Sequence, residues 1–113
     1  MYEEGRGAAR ALERLRHTYR RRLAGLSDDE LDEETRRVDA RVAGAKARLR
    51  ALERDMTDLA AREGTATEEE AAREERLHEL RAAHQRLYLD LTTDLFRKQA
   101  ALSAEQVRRW GGE

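Results

Sequence analysis

The sequence has no cysteine and no proline. Without cysteine there is no disulfide, no thiolate metal site and no cysteine nucleophile. Without proline nothing forces an early stop on a helix. Aromatic residues make up only 4% of the chain, which argues against a large globular core. No run of about 18 apolar residues occurs, so no segment is suited to span a bilayer. No signal peptide is visible at Met1. Charge of a single sign is also lacking: 42% of residues are charged, yet the net charge is −1. That balance argues against a polybasic nucleic-acid binder and against an acidic disordered tail.

What remains is rich in Ala, Leu, Arg and Glu, all strong helix formers. The 113 residues suit one helical domain over residues 1–113. A first helix is expected from Gly7 to Ala24. Its apolar residues Ala8, Leu12, Leu15, Tyr19, Leu23 and Leu26 recur every three or four positions, and Gly25 stands where a C′ glycine would stop it. Ser27 with Glu30 three residues on forms a capping box for a second helix. Its apolar series Leu31, Val38, Val42, Ala45, Leu49, Leu52, Met56 and Leu59 keeps alternating 4 and 3 spacings from Val38, a heptad coiled-coil stripe. This helix should end near Gly64. Thr65 and Thr67 offer the next caps, and a third helix follows along Leu77, Leu80, His84, Leu87, Leu91 and Leu95 to Ala101. Ser103, with Gln106 three on, is expected to cap a short fourth helix carrying Val107 and Trp110 and ended by Gly111 and Gly112.

The fold class is therefore all-α. Helices over residues 28–63 and 67–101 form a long antiparallel hairpin, flanked by an N-terminal helix and a short C-terminal one. Each long helix would measure about 50 Å. The turn end is lined by alanines, whereas the other end carries Leu87, Tyr88, Leu89, Leu91, Leu95, Phe96, Leu102 and Trp110. The consecutive Leu87, Tyr88 and Leu89 point to more than one face, so this base needs cover from the first helix or from a second copy. A homodimer is expected. Leu87, Leu91, Leu95, Phe96, Leu102 and Trp110 are the candidate dimer- or partner-binding residues, with intramolecular core as their plainer role.

Candidate chemistry is sparse. His78 and His84, six apart on one helix, do not share a face as two metal ligands must. His84 lies on the apolar seam; a metal role would require a carboxylate such as Asp55 or Asp58 opposite it, and a core or interface histidine is the plainer account. The acidic pairs Asp28/Asp29 and Glu68–Glu70 stand in first helical turns, where the helix dipole favours them. A catalytic carboxylate pair needs a pocket that perturbs it, which a narrow hairpin does not provide, so no enzymatic activity and no cofactor are expected. Arg20, Arg21 and Arg22 form a basic patch able to grip phosphate, or simply a solvated helix end favoured by the dipole.

Two segments are alike. Leu26-Ser27-Asp28-Asp29-Glu30-Leu31 and Leu102-Ser103-Ala104-Glu105-Gln106-Val107 both read L-S-x-[DE]-[EQ]-[LV]. The second resembles the L-T-x-x-Q motif of the periplasmic Spy- and CpxP-like family, which includes zinc-resistance-associated and heavy-metal-sensor proteins. The order motif, long helix, turn, long helix, motif over residues 26–110 is also similar. The resemblance implies a dimeric hairpin acting as a periplasmic chaperone or stress-response adaptor that meets clients or a sensor kinase. The metal-sensor branch places a His and, four on, a Met ahead of the second motif; Asp94 and Lys98 stand there, which removes that metal site. The alternative expectation is a cytoplasmic or phage-encoded adaptor docking one specific protein.

Overall fold

The computed structural model describes residues 2–62 and 67–111, with side chains from Gly7 onward. Four helical segments follow one another: α1 (Tyr2–Ala24), α2 (Asp28–Ala61), α3 (Thr67–Asp90) and α4 (Phe96–Trp110), with a π-helical turn at Leu91–Leu95 joining the last two. Among the described residues only 25–27, 62 and 111 lie outside helices, so the chain is all-α. The expected turn at 63–66, with Gly64 and Thr65, and the terminal Gly112 lie outside the described residues.

The start of α2 forms as its spacing predicts. The Ser27 amide donates to Glu30 Oε1 at 3.0 Å, and the Glu30 amide donates to Ser27 Oγ at 3.1 Å. Ser27, through its backbone amide first and its hydroxyl second, holds the Glu30 carboxyl below its usual range. Asp28 and Asp29 complete an acidic first turn at the positive end of the helix.

The end of α1 forms differently from expectation. Among the described residues no glycine has positive φ, so Gly25 is not a left-handed C′ residue. Its amide instead donates to the Arg21 and Arg22 carbonyls at 3.3 and 3.2 Å, and Leu26 N donates to Leu23 O at 3.1 Å. The carbonyls of Leu23, Ala24 and Leu26 also accept from a side chain of α4, described below.

The expected break at Ser103 is absent. Ser103 sits exposed in the interior of α4, which begins at Phe96. The reason is visible in the seam. Leu80, His84, Leu87, Leu91, Leu95 and Leu102 include two successive steps of four, Leu87 to Leu91 to Leu95. Two such steps carry one residue more than a heptad allows. A π turn absorbs that residue, and it lies at Leu91–Leu95. Thr92 Oγ1 donates to the Tyr88 carbonyl at 2.9 Å and Thr93 Oγ1 to the Leu89 carbonyl at 2.5 Å. Such back-bonding takes up carbonyls of the preceding turn and favours a local change of pitch. With the register restored, Leu102 falls one heptad after Leu95 and the helix continues.

The chain divides into two compact units. The first comprises residues 1–39 and 95–113. Its interior holds Leu23, Leu31, Val38, Leu95, Ala101 and Leu102, with Leu23 and Leu31 fully buried. The second unit, residues 40–94, buries Val42, Ala45, Leu49, Leu80 and Leu91. Its remaining seam residues Leu52, Met56, Leu59, Leu77, His84 and Leu87 are half buried. Arg73 donates to the Arg62 carbonyl, and His84 meets Glu53.

Candidate functional site

Within the first unit, a guanidinium organises the junction of three helices. Arg109 Nη2 donates to the carbonyls of Leu23 at 2.9 Å and Leu26 at 2.7 Å, with Ala24 at 3.5 Å. Its Nη1 donates to Asp28 Oδ1 at 2.9 Å and its Nε to Glu105 Oε1 at 2.8 Å. One side chain therefore caps the C-terminus of α1, pairs with the first residue of α2 and is held by its own helix. Planar, forked donors suit this task, which a lysine would not perform. Glu105 is buried and also takes Arg108 at 2.6 Å. Its bonds from Arg108 first, then Arg109, hold its carboxyl down to about 2. In return Glu105 raises both arginines above their ordinary value. Gln106 Nε2 donates to Thr35 Oγ1 at 3.0 Å, and Gln99 Nε2 to Asp39 Oδ1 at 2.9 Å, fixing the same face of α4 to α2.

The opposite side of α4 is different. Phe96, Ala100, Ser103, Val107 and Trp110 follow at steps of 4, 3, 4 and 3, and all are exposed. Val107 is 60% and Trp110 53% exposed. The helix thus has two heptad faces. One runs through Leu95, Leu102, Glu105 and Arg109 into the fold; the other is apolar and open.

The sequence candidates separate on these two faces. Leu91, Leu95 and Leu102 are interior, and Leu87 is half buried. Phe96 and Trp110 lie on the open stripe, together with Val107. Tyr88 and Leu89 are exposed. Of the basic run, Arg22 reaches the buried Glu34 at 3.3 Å, whereas Arg20 and Arg21 are exposed. His84 Nε2 lies 3.1 Å from Glu53 Oε1. The carboxylate opposite His84 is therefore Glu53, not Asp55 or Asp58, which line a shallow recess with Leu59, Arg62, Arg76 and Leu80. Among the described residues no cluster of three or more His, Asp or Glu side chains could hold a metal ion, and no helix is long and apolar enough to cross a membrane.

Arg109 and Glu105 were not foreseen as organising residues. Their signal was present: Leu102, Glu105 and Arg109 keep the 3 and 4 spacing of the buried seam, so an opposite-charge pair occupied core positions. No family model, curated protein or solved structure matches the chain.

Proposed function

We propose that this chain is a non-enzymatic protein-binding module, an antiparallel helical hairpin that pairs with a second copy of itself. The open stripe of α4 carries this reading. In antiparallel register about Ser103, Phe96 of one chain falls on Trp110 of the other, Ala100 and Val107 come within one residue of each other, and Ser103 meets its own copy. Small residues at the centre let the helices approach, and the large ones close over both ends. The flanks tolerate self-pairing: Gln99 and Gln106 stand on one side, and on the other Arg108 is already compensated by Glu105.

Counting about 200 Å² for a fully open aromatic side chain, the patch amounts to roughly 300 Å² per chain. A pair of such patches falls short of the ~1,200 Å² of stable complexes, so the expected dimer is a micromolar one. Light scattering from about 1 to 300 μM should show the mass rising toward twice 13.0 kDa. Val107→Glu should hold it at the monomer value. A wild-type monomer throughout that range rejects the pairing.

The two L-S-x-[DE]-[EQ]-[LV] segments support a more specific version, a periplasmic chaperone or stress-response adaptor of the L-T-x-x-Q type. With Ser103 inside α4, the second segment supports it by residue identity alone and not as a helix cap. Such a chaperone delays aggregation of an unrelated unfolded protein at substoichiometric amounts; failure to do so removes that version and leaves the adaptor.

A further inference from the structure

The search for a second surface leads to the exposed half of α1. Ala8, Leu12 and Leu15 continue, at steps of 4 and 3, the face on which Tyr19 and Leu23 are covered. Leu23 is fully buried, and the Lys98 ammonium lies 5.7 Å from the Tyr19 ring centroid, so this face already packs against α4. Beyond Tyr19 the same stripe is open: Leu15 is 66% exposed and Leu12 40%. Around it positive charge dominates. Residues 10–22 contain six arginines and a single acidic residue, Glu13.

Three occupants can be compared on physical grounds. A second copy of α1 would bring arginine against arginine, which costs affinity. An anionic membrane would take Leu12 and Leu15 into its surface. At 100° per residue, however, Arg10 and Arg21 lie about 160–180° away from that stripe and Arg14 about 140°, so they would face the bulk water. A protein groove with acidic walls meets both demands of the open face: its apolar floor takes the leucines, and its walls rise to Arg16 and Arg20, about 60–100° around the helix from the stripe.

We infer that residues 7–22 of α1 form a docking helix for an acidic partner protein, with Leu12 and Leu15 as anchors and Arg16 and Arg20 as the rim contacts. The inference stands on α1 and is independent of pairing through α4.

The test uses the full chain and two labelled amphipathic helical peptides with identical leucine positions, one with glutamate and one with lysine on the flanks. Fluorescence anisotropy should show binding of the glutamate peptide, weakened at least tenfold by Leu12→Glu/Leu15→Glu and by raising salt from 50 to 500 mM. Circular dichroism of the double variant should match the wild type, since both leucines are exposed. The lysine peptide should not bind. Equal binding of both peptides, binding unaffected by the double variant, or no binding of the glutamate peptide would overturn the inference. So would capture of the chain by anionic vesicles that the double variant abolishes, which would assign the surface to lipid. A mass in light scattering that falls with the double variant would overturn it too, assigning the surface to a second copy.

Discussion

Ser27 and Ser103 occupy equivalent places in two similar segments, yet the structure gives them opposite energetic roles. Ser27 is a true N-cap, its Oγ accepting the Glu30 amide at 3.1 Å while Glu30 returns a bond to the Ser27 amide. Replacing it with alanine leaves amides of the first turn without a side-chain acceptor, a loss of about 1 kcal/mol. Ser103 is exposed in the interior of α4. There alanine is the better helix former, and the gain is about 0.5 kcal/mol. For a domain of this size the first change lowers the melting temperature by about 5 °C and the second raises it by about 2 °C. Urea denaturation of the two single variants at low protein concentration separates the signs directly. Loss of stability in Ser103→Ala comparable to that in Ser27→Ala would mean that Ser103 caps a separate helix, and the continuous α4 would be wrong.

Other consequences concern the junction and the long helices. Arg109→Lys keeps the charge but not the fork that reaches the Leu23 and Leu26 carbonyls together with Asp28; thermal melting should show a larger loss than in Arg108→Lys, and hydrogen exchange should speed up at the end of α1. Because the Glu105 carboxyl is depressed to about 2 from 4.5, its contribution is fully present above pH 4.5 and is lost as the pH falls toward 2. Glu105→Gln should therefore flatten the fall in melting temperature over that window while leaving a less stable protein at pH 7. Gly44 lies inside α2, and a methyl group there would meet nothing within 4 Å; Gly44→Ala should raise stability by about 1 kcal/mol in the same urea experiment.

Much of this architecture can be read from spacing alone. The capping box at Ser27 and the heptad from Val38 need only local rules, because a cap and an apolar stripe are decided within a few residues. The start of α4 was harder. Serine followed three on by glutamine satisfies the capping pattern at Ser103, but a cap forms only where the chain actually leaves the helix. Here burial of Leu95 and Leu102 on one face outweighs the local signal, and the doubled step of four before Leu95 is the trace of that continuity. The end of α1 was illegible for another reason. Gly25 supplies a conventional stop, whereas the carbonyls are in fact satisfied by Arg109, more than 80 residues away, and no local pattern announces a partner so distant. The candidate surface was half legible. A list of large apolar residues mixed two faces of one helix, and only the assignment of faces separated Leu95 and Leu102, which are buried, from Phe96, Val107 and Trp110, which are exposed.

The proposal that this module works through protein contacts rests on that open stripe, and the absence of cysteine provides a clean probe of it. Ser103→Cys introduces a single thiol at the centre of the stripe, where antiparallel pairing brings it against its own copy. Under mild oxidation at about 100 μM the account predicts a disulfide-linked dimer, formed much faster than with a cysteine at the exposed Arg86 and suppressed when Val107→Glu is added. A thiol at Ser103 that oxidises no faster than the one at Arg86, in a chain that stays monomeric at that concentration, would contradict it.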